Sequence, residues 1–222
     1  MYRSIIYKEW IKTRTATGFI VLAFAAAAIH SFMKIAEDLR LSGAAACWEL
    51  VIQKDPAMFP LFEYLPAIAG VLAALAQYVP ELQSKRLKLT LHLPLKEDAI
   101  LLAMSAYGTA VVTLVTAFFG AVLLWGLSAN FPAEIAGASF RRLLPGFMAG
   151  PSAYFLASWI CLEPRWSRRV LNFIPGALAL SLFFMRAKSG AFCPLVPWLG
   201  GFMAAAFFFV FQSTARFKDG VQ

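Results

Sequence analysis

Six apolar stretches, each near the length that crosses a bilayer as a helix, follow one another along this chain with only short polar joints between them. About 20 predominantly apolar residues cover the ~30 Å hydrocarbon core as a helix. The candidates run from Thr17 to Met33, Pro60 to Val79, Ala99 to Leu127, Leu143 to Leu162, Val170 to Met185 and Pro194 to Gln212. With 60% hydrophobic residues, 21 Phe and a mean hydropathy of +0.69 in 222 residues, the chain has too little polar surface to coat a soluble globule of its size. The expected fold is an all-α integral membrane protein with six transmembrane helices. What lies outside the spans is an N-terminal arm, five loops and a short tail, too little for a separate soluble domain, so residues 1–222 read as one membrane domain.

The net charge of +8 raises nucleic acid as a partner, but the basic residues are spread over loop after loop and build no single face. No nucleic-acid partner is therefore expected, and the positive-inside rule accounts for the spread. With the N-terminus inside, the inner segments hold thirteen cations: Arg3, Lys8, Lys12 and Arg14; Lys85, Arg86, Lys88 and Lys96; Arg165, Arg168 and Arg169; Arg216 and Lys218. The outer segments hold seven: Lys34, Arg40, Lys54, Arg141, Arg142, Arg186 and Lys188. This asymmetry places both termini in the cytoplasm and the protein, multi-pass, in the inner (cytoplasmic) membrane. A cleaved signal peptide is the rival reading of the start, but the charged arm is long for such a leader and five more spans follow. The first helix is expected to stay.

The arm itself, residues 1–15, sets Tyr2, Ile5, Ile6 and Trp10 at helical spacing, with Arg3, Lys8 and Lys12 turned elsewhere. It reads as an amphipathic elbow helix lying in the headgroup region, with Ile5, Ile6 and Trp10 as its membrane anchor and its cations toward anionic lipid; the other reading is that the arm is simply the positive flank of the first span. After the first span, the stretch Ala44 to Val51, with Trp48, is expected as a short helix on the outer surface. The third apolar segment carries Ser105, Tyr107, Gly108, Thr109, Thr113, Thr116, Gly120 and Gly126; small and hydroxyl residues let helices approach closely in lipid, so it is expected in the interior.

Three cysteines with only His30 and His92 beside them make neither a disulfide framework nor a zinc cage. Cys47 and Cys193 both fall in outer loops, where an oxidising compartment would permit a disulfide; the other reading is that all three cysteines are small buried apolar residues.

The most unusual stretch is residues 80–98, VPELQSKRLKLTLHLPLKED counted from Val79, which joins dense charge to Leu87, Leu89, Leu91, Leu93 and Leu95 at alternating positions. Alternation by two argues for a strand, whereas Glu81, Leu82, Lys85, Arg86 and Leu89 fit helical turns after a Pro80 at a first helical position. An exposed basic and apolar element needs a partner surface, lipid or protein. Here the sequence resembles the permease subunits of type-2 ATP-binding cassette (ABC) exporters. Those have an amphipathic elbow, six spans with both termini inside, and a first cytoplasmic loop in which an acidic residue precedes a short coupling helix, continuing as Gly-Thr-Leu-x-x-Leu-Leu-x-x-Pro-Leu. Glu81 matches the acidic position, and Leu87, Leu91, Leu93, Pro94 and Leu95 the Leu and Pro-Leu positions; Lys85-Arg86 stands where Gly-Thr is common.

The resemblance implies a half-transporter for a hydrophobic or amphipathic substrate. With no Gly-x-x-x-x-Gly-Lys-Ser/Thr loop in the chain, ATP and magnesium would sit on a separate ABC ATPase subunit present in two copies, with no cofactor on this chain and no enzyme activity of its own. A second permease copy or a paralogous permease, and membrane lipid, would complete the partners. Glu81, Lys85, Arg86, Lys88, Leu89 and Leu91 would contact the ATPase; Arg165, Trp166 and Arg168 in the second inner loop would add a smaller contact, or serve only as a positive anchor with an interfacial Trp. Two rival classes stay open. An ion-coupled transporter or channel needs intramembrane acids, for which Glu63 is the near candidate. An intramembrane enzyme needs a base beside Ser152 of Gly150-Pro151-Ser152, and only His30 and His92 exist.

Overall fold

The computed structural model describes residues 2–54, 58–83, 97–185 and 193–218; the side chains of some residues near helix ends, Cys47 and Cys193 among them, lie outside that description. Among the described residues the protein is all-helical, with six main helices: α1 (Tyr2–Lys54), α2 (Pro60–Gln83), α3 (Glu97–Asn130), α4 (Ala133–Leu162), α5 (Trp166–Ser181) and α6 (Val196–Lys218). Short 3-10 turns at Leu182–Phe184 and Cys193–Leu195 follow α5 and precede α6. Each apolar stretch of the sequence lies on one of these helices. Three stretches are long and apolar enough to cross a membrane: Arg3–Gly43, Pro60–Leu82 and Asp98–Asn130.

α1 corrects the expected elbow. It runs without a break from Tyr2 to Gly43, so the arm of residues 1–15 is coaxial with the first span and is not a separate helix lying across it. At 1.5 Å per residue this rod is roughly 60 Å long, about twice the hydrocarbon thickness. The physical reason is a continuous buried stripe: Ile5, Glu9, Thr13, Ile20, Phe24, Ala27, Ala28 and Ser31 recur at helical spacing and all face inward. Ile5 is thus a packing residue, while Ile6 and Trp10 are exposed. The rod ends at Gly43, whose φ of 78° is left-handed and open to glycine. A second helical piece follows to Lys54, in keeping with the short outer helix anticipated over residues 44–51.

Two further expectations change. α2 passes through Pro80 and ends at Gln83, so Pro80 lies inside the last turns of a helix and does not open a new one. The innermost helix is α4, not α3. α4 packs most extensively against α2 and also against α6, α3 and α5, and every residue from Ala149 to Leu156 is buried. Pro145, Gly146, Gly150, Pro151, Ser152 and Ser158 lower its apolarity, which a helix surrounded by protein can tolerate. α3 is two-faced: Ser105, Gly108 and Thr116 are buried as the third segment's small residues suggested, while Leu114, Phe118 and Trp125 point outward. α5 has only Gly176 buried and presents Val170, Leu171, Phe173, Ile174 and Leu178 to the surroundings.

Candidate functional site

The chemistry-bearing side chains collect at one end of the bundle, where α1 starts and α2 ends. The inward stripe of α1 brings Glu9 to complete burial, and the last turn of α2 brings Glu81 to 1% exposure. Two lysines one turn apart on α1 meet them, Lys12 both acids and Lys8 Glu81. Lys12 Nζ lies 2.9 Å from Glu9 Oε1, 2.7 Å from Glu9 Oε2 and 3.0 Å from Glu81 Oε1; Lys8 Nζ lies 2.9 Å from the same Glu81 oxygen. Two carboxylates and two ammonium groups therefore balance in a site where an uncompensated charge would cost several kcal/mol. Thr13 continues the cluster, its hydroxyl 2.9 Å from Glu9 O and 2.8 Å from the Tyr107 hydroxyl of α3.

One turn deeper, α2, α3 and α4 share a hydrogen-bonded core. Tyr154 donates its hydroxyl to Gln77 Oε1 at 2.7 Å, and Gln77 Nε2 donates to Met104 O at 2.9 Å. Tyr78 lies 3.3 Å from Ser105 Oγ and 3.4 Å from the Tyr154 hydroxyl, and Ser158 donates back to Tyr154 O at 2.7 Å. All these side chains are buried, so the bonds close what would otherwise be unsatisfied groups in the interior. Space for them comes from glycine: a methyl on Gly108 would overlap the Tyr154 ring, and one on Gly70 of α2 would overlap Gly150 O of α4.

A third buried carboxylate, Glu163, stands at the α4–α5 turn. It accepts from Ser213 Oγ of α6 at 3.2 Å, and its carbonyl accepts from Arg169 Nε at 2.6 Å. Arg169 also sits 6.0 Å from the Trp166 ring centre, a cation–π arrangement. At the other end, Glu63 pairs with Arg142 at 3.3 Å.

The expected contact residues divide accordingly. Glu81 is not presented outward: it is consumed by Lys8 and Lys12, because α1 continues straight past it and covers it. Lys85, Arg86, Lys88, Leu89 and Leu91, together with His92, lie outside the described residues. Trp166 is 75% exposed, and Arg165 and Arg168 are half-buried beside it. The pairing of Cys47 with Cys193 lies outside the described side chains, and Cys161 is a free, partly buried thiol. Ser152, the nucleophile of the enzyme reading, is buried and donates to Met148 O at 3.0 Å, a helix back-bond. His30 is exposed on α1. Among the described residues no three His, Cys, Asp or Glu side chains gather as metal ligands would.

Sequence reasoning missed Glu9, Gln77, Tyr154 and Glu163. The signal for Glu9 was present: an acid at i+4 from Ile5 and i−4 from Thr13, on the stripe that α1 buries, with Lys12 three residues on. For Tyr154 and Gln77 no local signal exists, since each stands in a mainly apolar stretch of its helix and only the packing pairs them. No protein-family model, no curated protein and no solved structure matches this chain.

Proposed function

We propose that this chain is the membrane subunit of an ABC transporter, moving a hydrophobic or amphipathic substrate across the cytoplasmic membrane on the ATP hydrolysis of a separate subunit. In this reading all six helices cross the bilayer, with both termini on the cytoplasmic side, and two chains pair to enclose the path. The lesser apolarity of α4 supports its inclusion, because its polar face is spent on neighbours. The exposed apolar faces of α5 and α6 support theirs.

The observation that carries the reading is the ion cluster at the root of the 80–98 element. Lys8 and Lys12 tie α1 to Glu81 at the end of α2, so a displacement of the residues just beyond Gln83 would be delivered to two long membrane helices as one lever. Glu81 then acts as a joint within the chain, and the ATPase contact falls to Lys85, Arg86, Lys88, Leu89 and Leu91, with Trp166 and its arginines adding a second. ATP-driven closure of the partner pair would shift the balance between inward- and outward-facing arrangements.

Affinity purification of the tagged protein from its native host is the test. An ATPase bearing a phosphate-binding loop should co-purify, and joint replacement of Lys85, Arg86 and Lys88 by Ala should release it while the chain still inserts. Purification without any ATPase, with transport activity intact, would overturn the reading. The ion-coupled alternative gains one specific observation, the complete burial of Glu9; intramembrane acids commonly mark ion paths. It predicts transport in vesicles driven by an ion gradient in the absence of ATP.

A further inference from the structure

We propose that the groove between the first turns of α1 and the end of α2 binds a phospholipid whose headgroup carries a primary ammonium beside its phosphate, that is, a headgroup of the ethanolamine type. The groove has a volume of about 430 Å³ and is bordered by Ser4, Tyr7, Lys8, Ile11, Lys12 and Glu81. It offers both signs of charge within one small space, and the arrangement is unfinished in one respect. Both lysines are bonded to Glu81 through Oε1 alone, at 2.9 and 3.0 Å, while Glu81 Oε2 is buried with no hydrogen-bond partner. A buried carboxylate oxygen left without a donor is costly, and nearly all such groups in folded proteins find one. A ligand ammonium supplies N–H donors and positive charge together.

The remaining features fit the rest of such a lipid. Lys12 is 14% exposed and directs its three donors to Glu9 and Glu81, whereas Lys8 keeps 39% of its side chain exposed, so Lys8 is the ammonium that meets the phosphate while still bonded to Glu81. The Ser4 hydroxyl adds a fourth polar edge. Beside the groove, Ile6, Tyr7, Trp10 and Ile11 are exposed along α1 and form an apolar and amphipathic shelf of the kind that sits at the level of glycerol and upper acyl chain. A choline headgroup has no N–H to give Oε2, and a glycerol headgroup brings no positive charge. The chemistry therefore separates three phospholipids that share one phosphate. The inference needs only that α1 begins at a membrane surface, so it stands or falls independently of the transporter reading.

The test titrates delipidated, purified protein with dioleoyl phosphatidylethanolamine, its N-monomethyl and N,N-dimethyl derivatives, phosphatidylcholine and phosphatidylglycerol, counting retained lipids by native mass spectrometry. Loss of a charged hydrogen bond corresponds to roughly tenfold in affinity, so retention should fall stepwise along the methyl series and by about that factor overall. E81Q should abolish the ethanolamine preference and turn it toward phosphatidylglycerol, because the cluster then has one carboxylate, Glu9, for two ammonium groups. K8M should weaken retention of every phospholipid. Because the methyl series uses the unaltered chain, it decides even where E81Q does not fold. Equal retention of ethanolamine and choline lipids, tighter retention of phosphatidylglycerol by the wild type, or competition by free phosphoethanolamine as effective as the lipid would each overturn the assignment.

Discussion

The two ends of α2 are fastened differently: at its start a part-exposed Glu63–Arg142 pair sits beside close backbone packing, and at its end the ion cluster is buried. Toward its start and middle, α2 lies against α4 through backbone: Gly70 meets Gly150 O, Gly146 meets Glu63 O, and Pro66 O lies beside Gly150. At its far end the same helix is held by charge, Glu81 between Lys8 and Lys12 of α1. In water both ends could rely on hydrophobic burial. In lipid they cannot, because the tails are as apolar as leucine, and association must come from close packing or from polar bonds. A glycine contact is steric and short-ranged, so it fixes one crossing geometry. An ion cluster keeps its attraction over a longer range and tolerates small displacements, which suits an end expected to move.

Gly70 offers the most severe way to break the contrast. Gly70→Leu should cost more than about 4 kcal/mol, since a rigid backbone on α4 has nowhere to go, and the detergent-solubilised protein should lose its cooperative thermal transition. Glu81→Ala comes next. It takes a buried carboxylate away from both Lys8 and Lys12, and with Lys8 partly solvated the expected loss is about 2–3 kcal/mol, read as a lowered melting temperature with helix content retained. If Glu81→Ala proved as damaging as Gly70→Leu, the view of an adaptable end would fail. Tyr154→Phe should cost about 1 kcal/mol, the usual scale of an interhelical hydrogen bond in membranes, by stranding Gln77 Oε1. Its effect should shrink in a Gln77→Leu background, where only the longer Tyr78 contact remains, and a double-mutant cycle would measure the difference. Smallest is Gly18→Ala on the exposed side of α1: a methyl there meets nothing within 4 Å, so a gain of up to about 1 kcal/mol from helix propensity is expected. Gly18→Ala and Gly70→Leu together tell a glycine kept for contact from one that is incidental.

Much of the helical layout was legible. The apolar stretches carry their own periods and lengths, so α2 and α3 are found where hydropathy puts them, and Pro60 opens α2 as a proline at a helix start should. The elbow was misread because amphipathicity alone does not tell a helix lying on a membrane from one packed along its length on other helices. Ile5, Glu9 and Thr13 make the same stripe in both cases, and what distinguishes them is whether Glu9 finds Lys12 and Glu81 to compensate it. α4 was underrated for a related reason: Gly146 and Gly150, four apart, are visible as a close-approach pattern, but the pattern does not say against which helix. The Gln77–Tyr154 bond was invisible, joining residues 77 apart in sequence.

What the sequence decided alone is solvent and local conformation: apolar runs of this length leave the peptide groups no option but to bond within their own helices, so all-helical structure in lipid follows from composition and spacing. Which helix lies at the centre, which acids are buried and which cations neutralise them were settled only in three dimensions. Those choices depend on partners distant along the chain, and a carboxylate such as Glu9 or Glu81 is stable in the interior only once folding has brought an ammonium group to within hydrogen-bonding distance of it.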